Sequence, residues 1–165
     1  MNKPEFVLDS NVLMAAHRSY YAFDIAPKFW DSLIVHAKTK RICSIDRVKK
    51  EIEDGKDALW TWSKGNISNA FISTDAEEVV NEYKIIMEWA NTQSQYNQAA
   101  KSEFARVADS WLIAFAKSQT ITVVTDEKHD PNIKRKIPIP NVCKKYGIPY
   151  IGTFDLIRKL GIKFD

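Results

Sequence analysis

The sequence predicts an α/β protein in three layers, with a central parallel sheet of about four to five strands covered by helices on both faces. Short apolar runs recur along the chain, as in residues 6–8, 42–45 and 121–124, and the last of these is β-branched throughout. Segments with the apolar spacing of helices separate these runs. Strands that alternate with helices form parallel sheets with both faces covered, and the chain of 165 residues fits one domain, 1–165.

The elements follow from apolar stripes and from residues that begin or end helices. The predicted strands are 6–8, 42–45, 121–124 and 149–151. A helix should start directly after the first strand, and the other predicted helices are 24–37, 47–54, 56–66, 75–90, 102–116, 141–146 and 154–160.

Five residues mark predicted helix ends. Asp46 is expected to cap the helix over 47–54, and Gly55 to end it in a left-handed conformation. Thr74 opens a capping-box pattern, Gly147 terminates a helix, and Thr153 is expected to cap the last one.

The composition is that of an ordinary globular protein, with 45% apolar and 27% charged residues. No apolar run approaches the ~20 residues of a membrane span, and the N-terminal residues lack the pattern of a signal peptide, so we expect a cytoplasmic protein without a membrane partner. Cys43 and Cys143 have no zinc-ribbon or disulfide pattern, which favours reduced structural thiols. The net charge of +3 does not by itself indicate a nucleic-acid partner.

Asp109 is the most informative residue, because it lies within an apolar stretch that predicts a continuous helix over 102–116. Helical spacing places it on the stripe of Ala108, Leu112 and Ala116, which should face the core. A carboxylate there must shift its pKa, find a cation or hold a metal. The alternative is a buried aspartate that is hydrogen-bonded to neighbouring groups.

Further acids follow the predicted strands. Asp9 comes directly after strand 6–8, and Asp126 and Glu127 come directly after strand 121–124. Ligand sites in such sheets lie beyond the carboxyl ends of the strands, so these acids are expected to meet there if the strands are neighbours. Glu51 lies at the border of an apolar helix face and could lean toward the same edge. Taken singly, these acids also suit turns or a solvated helix surface.

These residues resemble the PIN-domain nuclease family over nearly the whole chain. The resemblance rests on four motifs: Phe6-Val7-Leu8-Asp9-Ser10-Asn11, Val48-Lys49-Lys50-Glu51-Ile52, Ala108-Asp109-Ser110-Trp111-Leu112-Ile113-Ala114-Phe115-Ala116 and Val124-Thr125-Asp126-Glu127. The fourth motif departs from the family pattern of threonine, any residue, aspartate. It has Glu127 in register and Asp126 one position earlier, and the register favours Glu127 as the fourth acid, with Asp126 as the alternative.

A stretch after these motifs, Lys136-Ile137-Pro138-Ile139-Pro140-Asn141-Val142-Cys143, resembles an uncharacterised prokaryotic PIN-like subfamily thought to act as toxins of toxin-antitoxin pairs. The resemblance implies a PIN-like fold, an RNA substrate, an antitoxin partner and a possible homodimer. It leaves open which RNA is cut and whether the domain is active.

Several carboxylates cannot all stay ionised in one cleft without compensation, since two of them ~4 Å apart repel by about 4 kcal/mol at an effective dielectric of 20. Oxygen ligands suit Mg²⁺ or Mn²⁺. The resemblance therefore implies a metal-dependent endoribonuclease with Asp9, Glu51, Asp109 and Glu127 as catalytic residues. Asp9, Asp109 and Glu127, with Asp126 as the alternative fourth acid, would hold one or two ions.

Substrate contacts are expected from two segments. Ser10 and Asn11, in the first turn of a helix, could donate hydrogen bonds to the scissile phosphate. A basic segment follows Glu127, and its residues are either solvated surface or contacts to RNA phosphates. Its candidate residues are Lys128, Lys134, Arg135 and Lys136.

Two other functions are possible for such a chain. A PIN-like fold without activity would serve as a binding partner or scaffold, although all four acidic positions are occupied. A phosphatase of the haloacid dehalogenase type also has an aspartate after the first strand, but it expects a second aspartate where this chain has Asn11.

Overall fold

Five strands and nine helices alternate along residues 3–164, the part of the chain that the computed structural model describes. Met1, Asn2 and Asp165 belong to the predicted domain 1–165 but lie outside the described residues. The strands are β1 (Phe6–Leu8), β2 (Ile42–Ile45), β3 (Phe71–Ile72), β4 (Thr122–Val124) and β5 (Tyr150–Ile151). The helices are α1 (Ser10–Ala15), α2 (Pro27–Lys38), α3 (Asp46–Gly55), α4 (Ala58–Asn66), α5 (Glu77–Thr92), α6 (Gln98–Arg106), α7 (Asp109–Gln119), α8 (Ile139–Tyr146) and α9 (Thr153–Leu160). A π-helical turn, Ala16–Tyr20, continues α1.

All strand pairs are parallel, in the order β3-β2-β1-β4-β5, which confirms the predicted α/β class with its central parallel sheet. Phe6 of β1 pairs with Ile42 on one side and with Thr122 on the other. The order of strands reverses between β1 and β4, and this is the point where such sheets bind their ligands. Strand β3 was not predicted, because two half-buried residues are too short to give a pattern.

The sheet and its helices enclose one continuous apolar cluster. Strands β1 and β2 are buried along their whole length, and Leu112 and Ile113 of α7 are completely buried. Burying an aliphatic side chain of this kind stabilises the fold by about 1.5–3 kcal/mol. Within residues 3–164, no helix has the length and apolarity that a membrane crossing needs.

Four predicted helix ends are wrong. Asp46 is the first residue of α3 and not its cap. Gly55 remains in α3, and Lys56 takes the left-handed conformation with φ of 50°, because the next helix is capped only one residue later and the chain must turn there. The Thr74 hydroxyl does not cap α5 and donates instead to Asp46 at 2.9 Å, since both lie at the carboxyl edge of the sheet. Thr153 is the first residue of α9 and not its cap.

The predicted continuous helix over 102–116 is also wrong, because the chain breaks between α6 and α7. Val107 is extended, with φ of −89° and ψ of 170°, and Asp109 becomes the first residue of α7. The helices on either side of the break differ in how much of their surface is buried. Helix α7 is buried on most of its sides, whereas α6 lies on the surface and buries only Ala100 and Phe104.

Candidate active site

Asp9 is placed by the backbone of the sheet. Its N–H donates to the carbonyl oxygen of Val124 in β4 at 3.0 Å, and the residue is only 1% exposed. The carboxylate accepts a hydrogen bond from the Thr125 hydroxyl at 3.1 Å, and both this bond and the nearby backbone N–H of Asn11 lower its pKa. Burial, and next the negative charge of Glu127, raise the pKa of Asp9 from 3.8 to about 7.

Asp109 reaches the same place from the start of α7. Its pKa is raised to about 8, first by burial and then by the charges of Asp9 and Glu127, while Lys136 acts in the opposite direction. The break at Val107 has a direct consequence here. A carboxylate in the first turn of a helix faces the positive end of the helix dipole, which offsets part of the cost of its burial.

Glu127 and Glu51 complete the group, from the loop after β4 and from α3. Glu127 Oε1 accepts a hydrogen bond from the N–H of Ile139 at 3.2 Å and pairs with Lys136 Nζ at 3.4 Å. Glu127 Oε2 and Glu51 Oε1 are buried and have no hydrogen-bond partner among the described residues. The charge of Glu51 also raises the pKa of both aspartates. Four acids from four separate elements therefore form one electrostatically coupled group, which we call the acid cluster.

Asp126 has a different environment, although it precedes Glu127 directly. Its carboxylate accepts hydrogen bonds from the backbone N–H of Thr153 at 2.8 Å and from the Thr153 hydroxyl at 2.5 Å. A Cβ on Gly152 would stand only 3.0 Å from Asp126 Oδ1, so glycine leaves room for this contact. Asp126 thus holds the start of α9, and Glu127 faces the acid cluster.

The acid cluster fits a hard divalent cation in its chemistry. Its donors are all oxygens, and two of them are buried without a hydrogen-bond partner in the described part of the chain. The raised pKa values of Asp9 and Asp109 indicate that negative charge is costly there. As the side chains stand, however, no three His, Cys, Asp or Glu residues within 3–164 are grouped closely enough to hold one ion. Binding by three of the acids therefore requires side chains to turn toward the ion.

The basic segment lies beside the cluster. Lys128, Lys134, Arg135 and Lys136 are all exposed, as contact with a large polyanion would require. Among the described residues, Lys136 is the one of these four that forms an ion pair, and its partner is Glu127.

The loop that carries this basic segment is fixed by polar contacts that the sequence did not reveal. Asn141, which is buried, donates to the Tyr96 hydroxyl at 3.0 Å and to the carbonyl oxygen of Asp130 at 2.8 Å. The N–H of Asn97 donates to the carbonyl oxygen of Lys134 at 2.9 Å. These bonds hold the loop against the segment before α6, which keeps Lys136 at the cluster.

Ser10 and Asn11 both follow Asp9 in α1, but they differ in accessibility. Ser10 is 5% exposed, whereas the Asn11 side chain is exposed beside the cluster. Sequence reasoning assigned no role to Thr125, which is buried, donates to Asp9 and accepts a hydrogen bond from the N–H of Glu127 at 3.2 Å. Its position two residues before Glu127, in the fourth motif, was the available signal.

The parallel sheet and the position of the acids at its carboxyl edge define a PIN-like fold. The chain belongs to the family described as "Domain of unknown function (DUF4411)", whose model matches residues 6–164. No curated protein matches the chain in sequence.

Solved structures with the same fold include VapBC2 from Rickettsia felis bound to a DNA fragment from its promoter, with a TM-score of 0.54, 14% identity and coverage of 89% of this chain and 97% of that one. FitAB bound to the IR36 DNA fragment has a TM-score of 0.56, 18% identity and coverage of 89% and 94%. FitAcB from Neisseria gonorrhoeae has a TM-score of 0.52, 16% identity and coverage of 88% and 96%. At these identities the likeness concerns the fold.

Proposed function

We propose that this protein is a metal-dependent endoribonuclease and the toxin of a toxin-antitoxin pair. One observation carries the proposal: four acids from separate elements converge where the strand order reverses, and two of their buried oxygens have no partner among the described residues. Such a group costs the metal-free fold stability, and carboxylates with strongly raised pKa values in one cleft are typical of functional sites. The PIN-domain motifs of the sequence and the similar fold of VapBC2 and FitAB support the same conclusion.

In this proposal Asp9, Asp109 and Glu127 hold Mg²⁺ or Mn²⁺, and Glu51 completes the ligand set or orients the attacking water. The bound ion supplies activation of that water and stabilisation of the leaving oxygen. We retain Glu127 as the fourth acid in preference to Asp126, because the Asp126 carboxylate already accepts two hydrogen bonds from Thr153.

The other residues have supporting roles. Thr125 orients the carboxylate of Asp9, and the N–H of Ile139 orients that of Glu127. Lys136 holds a positive charge at the edge of the cluster, where it can pass from Glu127 to a substrate phosphate. Asn11 can donate to the scissile phosphate, with Ser10 fixing its helical turn, and Lys128, Lys134 and Arg135 contact neighbouring phosphates.

An antitoxin partner and a homodimer are part of the proposal through the resemblance. VapBC2 and FitAB were each solved bound to a DNA fragment. For this chain, the resemblance leads us to expect an antitoxin, a cognate protein that binds the toxin and suppresses its activity.

The direct test is incubation of the purified protein with total RNA and MnCl₂, with and without EDTA. We expect the parent to cut RNA, and the Asp109→Asn variant and the EDTA sample to be inactive. Asp31→Asn is the matched control, because Asp31 is exposed in α2 and lies away from the acids. Cleavage that survives in Asp109→Asn would refute the assignment, and mapped fragment ends would identify the RNA.

The second candidate is a PIN-like scaffold without catalytic activity. The observation that favours it is that no three of the acids, within the described residues, are grouped as metal ligands. Calorimetric titration with Mn²⁺ separates the two. Binding that is lost in Asp109→Asn supports the nuclease, and no heat above background in either protein supports the scaffold.

A further inference from the structure

A pocket of about 600 Å³ opens beside the acid cluster. Asn11 and Glu127 form part of its wall, so a ligand inside it lies directly next to the acids. We call it the aromatic pocket, and its principal lining residues are Ala15, Ala16, Tyr20, Tyr21, Phe154 and Arg158. Its volume is within the range of about 300–1,000 Å³ that small-ligand sites occupy.

The first wall depends on the π-helical turn after α1. The turn Ala16–Tyr20 widens the helix, and such turns occur frequently at functional sites. Ala15 and Ala16 have small side chains, which leave the space open. Tyr20 stands at the end of the turn and is 62% exposed.

A second part of the lining comes from the first turn of α9. Phe154 lies there and is 58% exposed, so two aromatic rings from separate helical segments remain largely in solvent at one pocket. Within residues 3–164, Phe154 has no aromatic neighbour in stacking range. An exposed ring that stacks on no other aromatic ring is available to a flat ligand.

The charges of the pocket do not favour a phosphate inside it, because its lining carries three carboxylates against two cations. Arg158 is paired with Asp155 at 3.2 Å, and the Asp126 carboxylate already accepts hydrogen bonds from Thr153. Asn11 adds an uncharged hydrogen-bonding group to the lining. Flat surfaces surrounded by donors and acceptors suit a nucleobase, which offers ring faces for stacking and polar edges for hydrogen bonds.

We propose that the aromatic pocket binds one unpaired nucleobase of the RNA, next to the phosphodiester that is cut. The inference rests on the proposed nuclease function and adds a requirement to it. The base must be flipped out of any helix, so the substrate is single-stranded at that nucleotide, and Tyr20 and Phe154 contribute to the choice of the cleavage position.

The test uses a short single-stranded RNA that contains the mapped cleavage position. A set of its derivatives carries an abasic nucleotide at each position in turn. For the parent, we expect one abasic position near the cut to raise KM by about fivefold to a hundredfold, the range of base–aromatic stacking. Tyr20→Ala and Phe154→Ala should raise KM for the intact RNA and lose the penalty at that position, while kcat changes little because the acids are intact.

Val35→Ala is the matched control, since Val35 is also an exposed apolar residue at 56% but lies in α2 outside the pocket. It should behave as the parent. Ala15→Phe provides an independent test, because it fills the pocket without changing an acid or an exposed ring. It should raise KM for the intact RNA, as Tyr20→Ala and Phe154→Ala do. Circular dichroism confirms that each variant is folded.

The outcomes separate the two proposals. If the parent cuts RNA but no abasic position is coupled to Tyr20 or Phe154, the pocket assignment is wrong and the nuclease stands. If the parent with MnCl₂ cuts nothing in total RNA, there is no cleavage position to test and both proposals fail. If Tyr20→Ala and Phe154→Ala cut the intact RNA with the KM of the parent, the nucleobase assignment is overturned.

Discussion

Replacing Asp9 by asparagine should stabilise the metal-free protein at neutral pH, although it removes a proposed catalytic group. Asparagine is almost the same size as aspartate, and its amide oxygen can still accept from Thr125. The carboxylate, in contrast, is buried with a pKa raised from 3.8 to about 7. Removing its charge should therefore relieve a penalty without leaving a cavity.

The magnitude follows from linkage. Because the folded pKa is above the unfolded one, the folded state binds more protons between pH 4 and pH 7, and stability falls as pH rises through this window. At ~1.4 kcal/mol per pKa unit, the penalty is about 4 kcal/mol at pH 7 and about 2 kcal/mol at pH 5. A penalty of this size is a large part of the 5–15 kcal/mol that typically stabilises a domain.

The assay is urea unfolding in EDTA from pH 5 to pH 8. We expect Asp9→Asn to exceed the parent in unfolding free energy by about 4 kcal/mol at pH 7 and by about half as much at pH 5. MnCl₂ should narrow this difference at pH 8, because an ion that binds the folded parent more tightly than the variant stabilises the parent more. Asp31→Asn, exposed in α2, should match the parent throughout.

A variant that is less stable than the parent at pH 8 in EDTA would refute this reasoning. It would mean that the Asp9 carboxylate is compensated in the metal-free fold, and the acid cluster would then need no ion.

Further predictions concern neighbouring groups. Lys136→Met should raise the pKa of Asp109, since the Lys136 charge lowers it, and a carbon-detected NMR titration that shows no upward change would contradict this. Asp126→Asn should lower the free energy of unfolding in urea by about 0.5–2 kcal/mol, because it weakens the start of α9, and should keep the affinity for Mn²⁺. Glu127→Gln should lower the affinity for Mn²⁺ by about tenfold or more. The reverse pattern would identify Asp126 as the ligand. Burial raises the pKa of both cysteine thiols to about 12. A thiol reagent at pH 8 should therefore label them only as fast as the protein unfolds. Rapid labelling of the folded protein would contradict this prediction.

Much of the fold could be predicted because its signals are local. The runs that became β1, β2 and β4 are continuous and mostly buried, and Gly147 ends α8 with φ of 66° as expected. The break at Val107 could not be predicted, because no proline or glycine marks it. Its cause is the different burial of α6 and α7, which depends on the assembled protein.

The acid cluster was predictable to the same extent. The sequence placed acids at strand ends, and the structure shows that Asp9, Glu51, Asp109 and Glu127 influence one another. The choice between Glu127 and Asp126 depended on a contact across 27 residues, from Asp126 to the start of α9. Long-range contacts of this kind leave no periodic pattern in a sequence.

The Asp9 backbone is hydrogen-bonded to Val124, so Asp9 continues the pairing of β1 with β4. The register of these two strands, rather than side-chain packing, therefore sets the distance from Asp9 to the residues that follow β4. Substitutions that loosen the apolar interior should leave this spacing intact for as long as the two strands stay paired. A single residue inserted between Leu8 and Asp9 would have the opposite effect: it would turn the carboxylate toward the other face of the sheet in a protein that still folds.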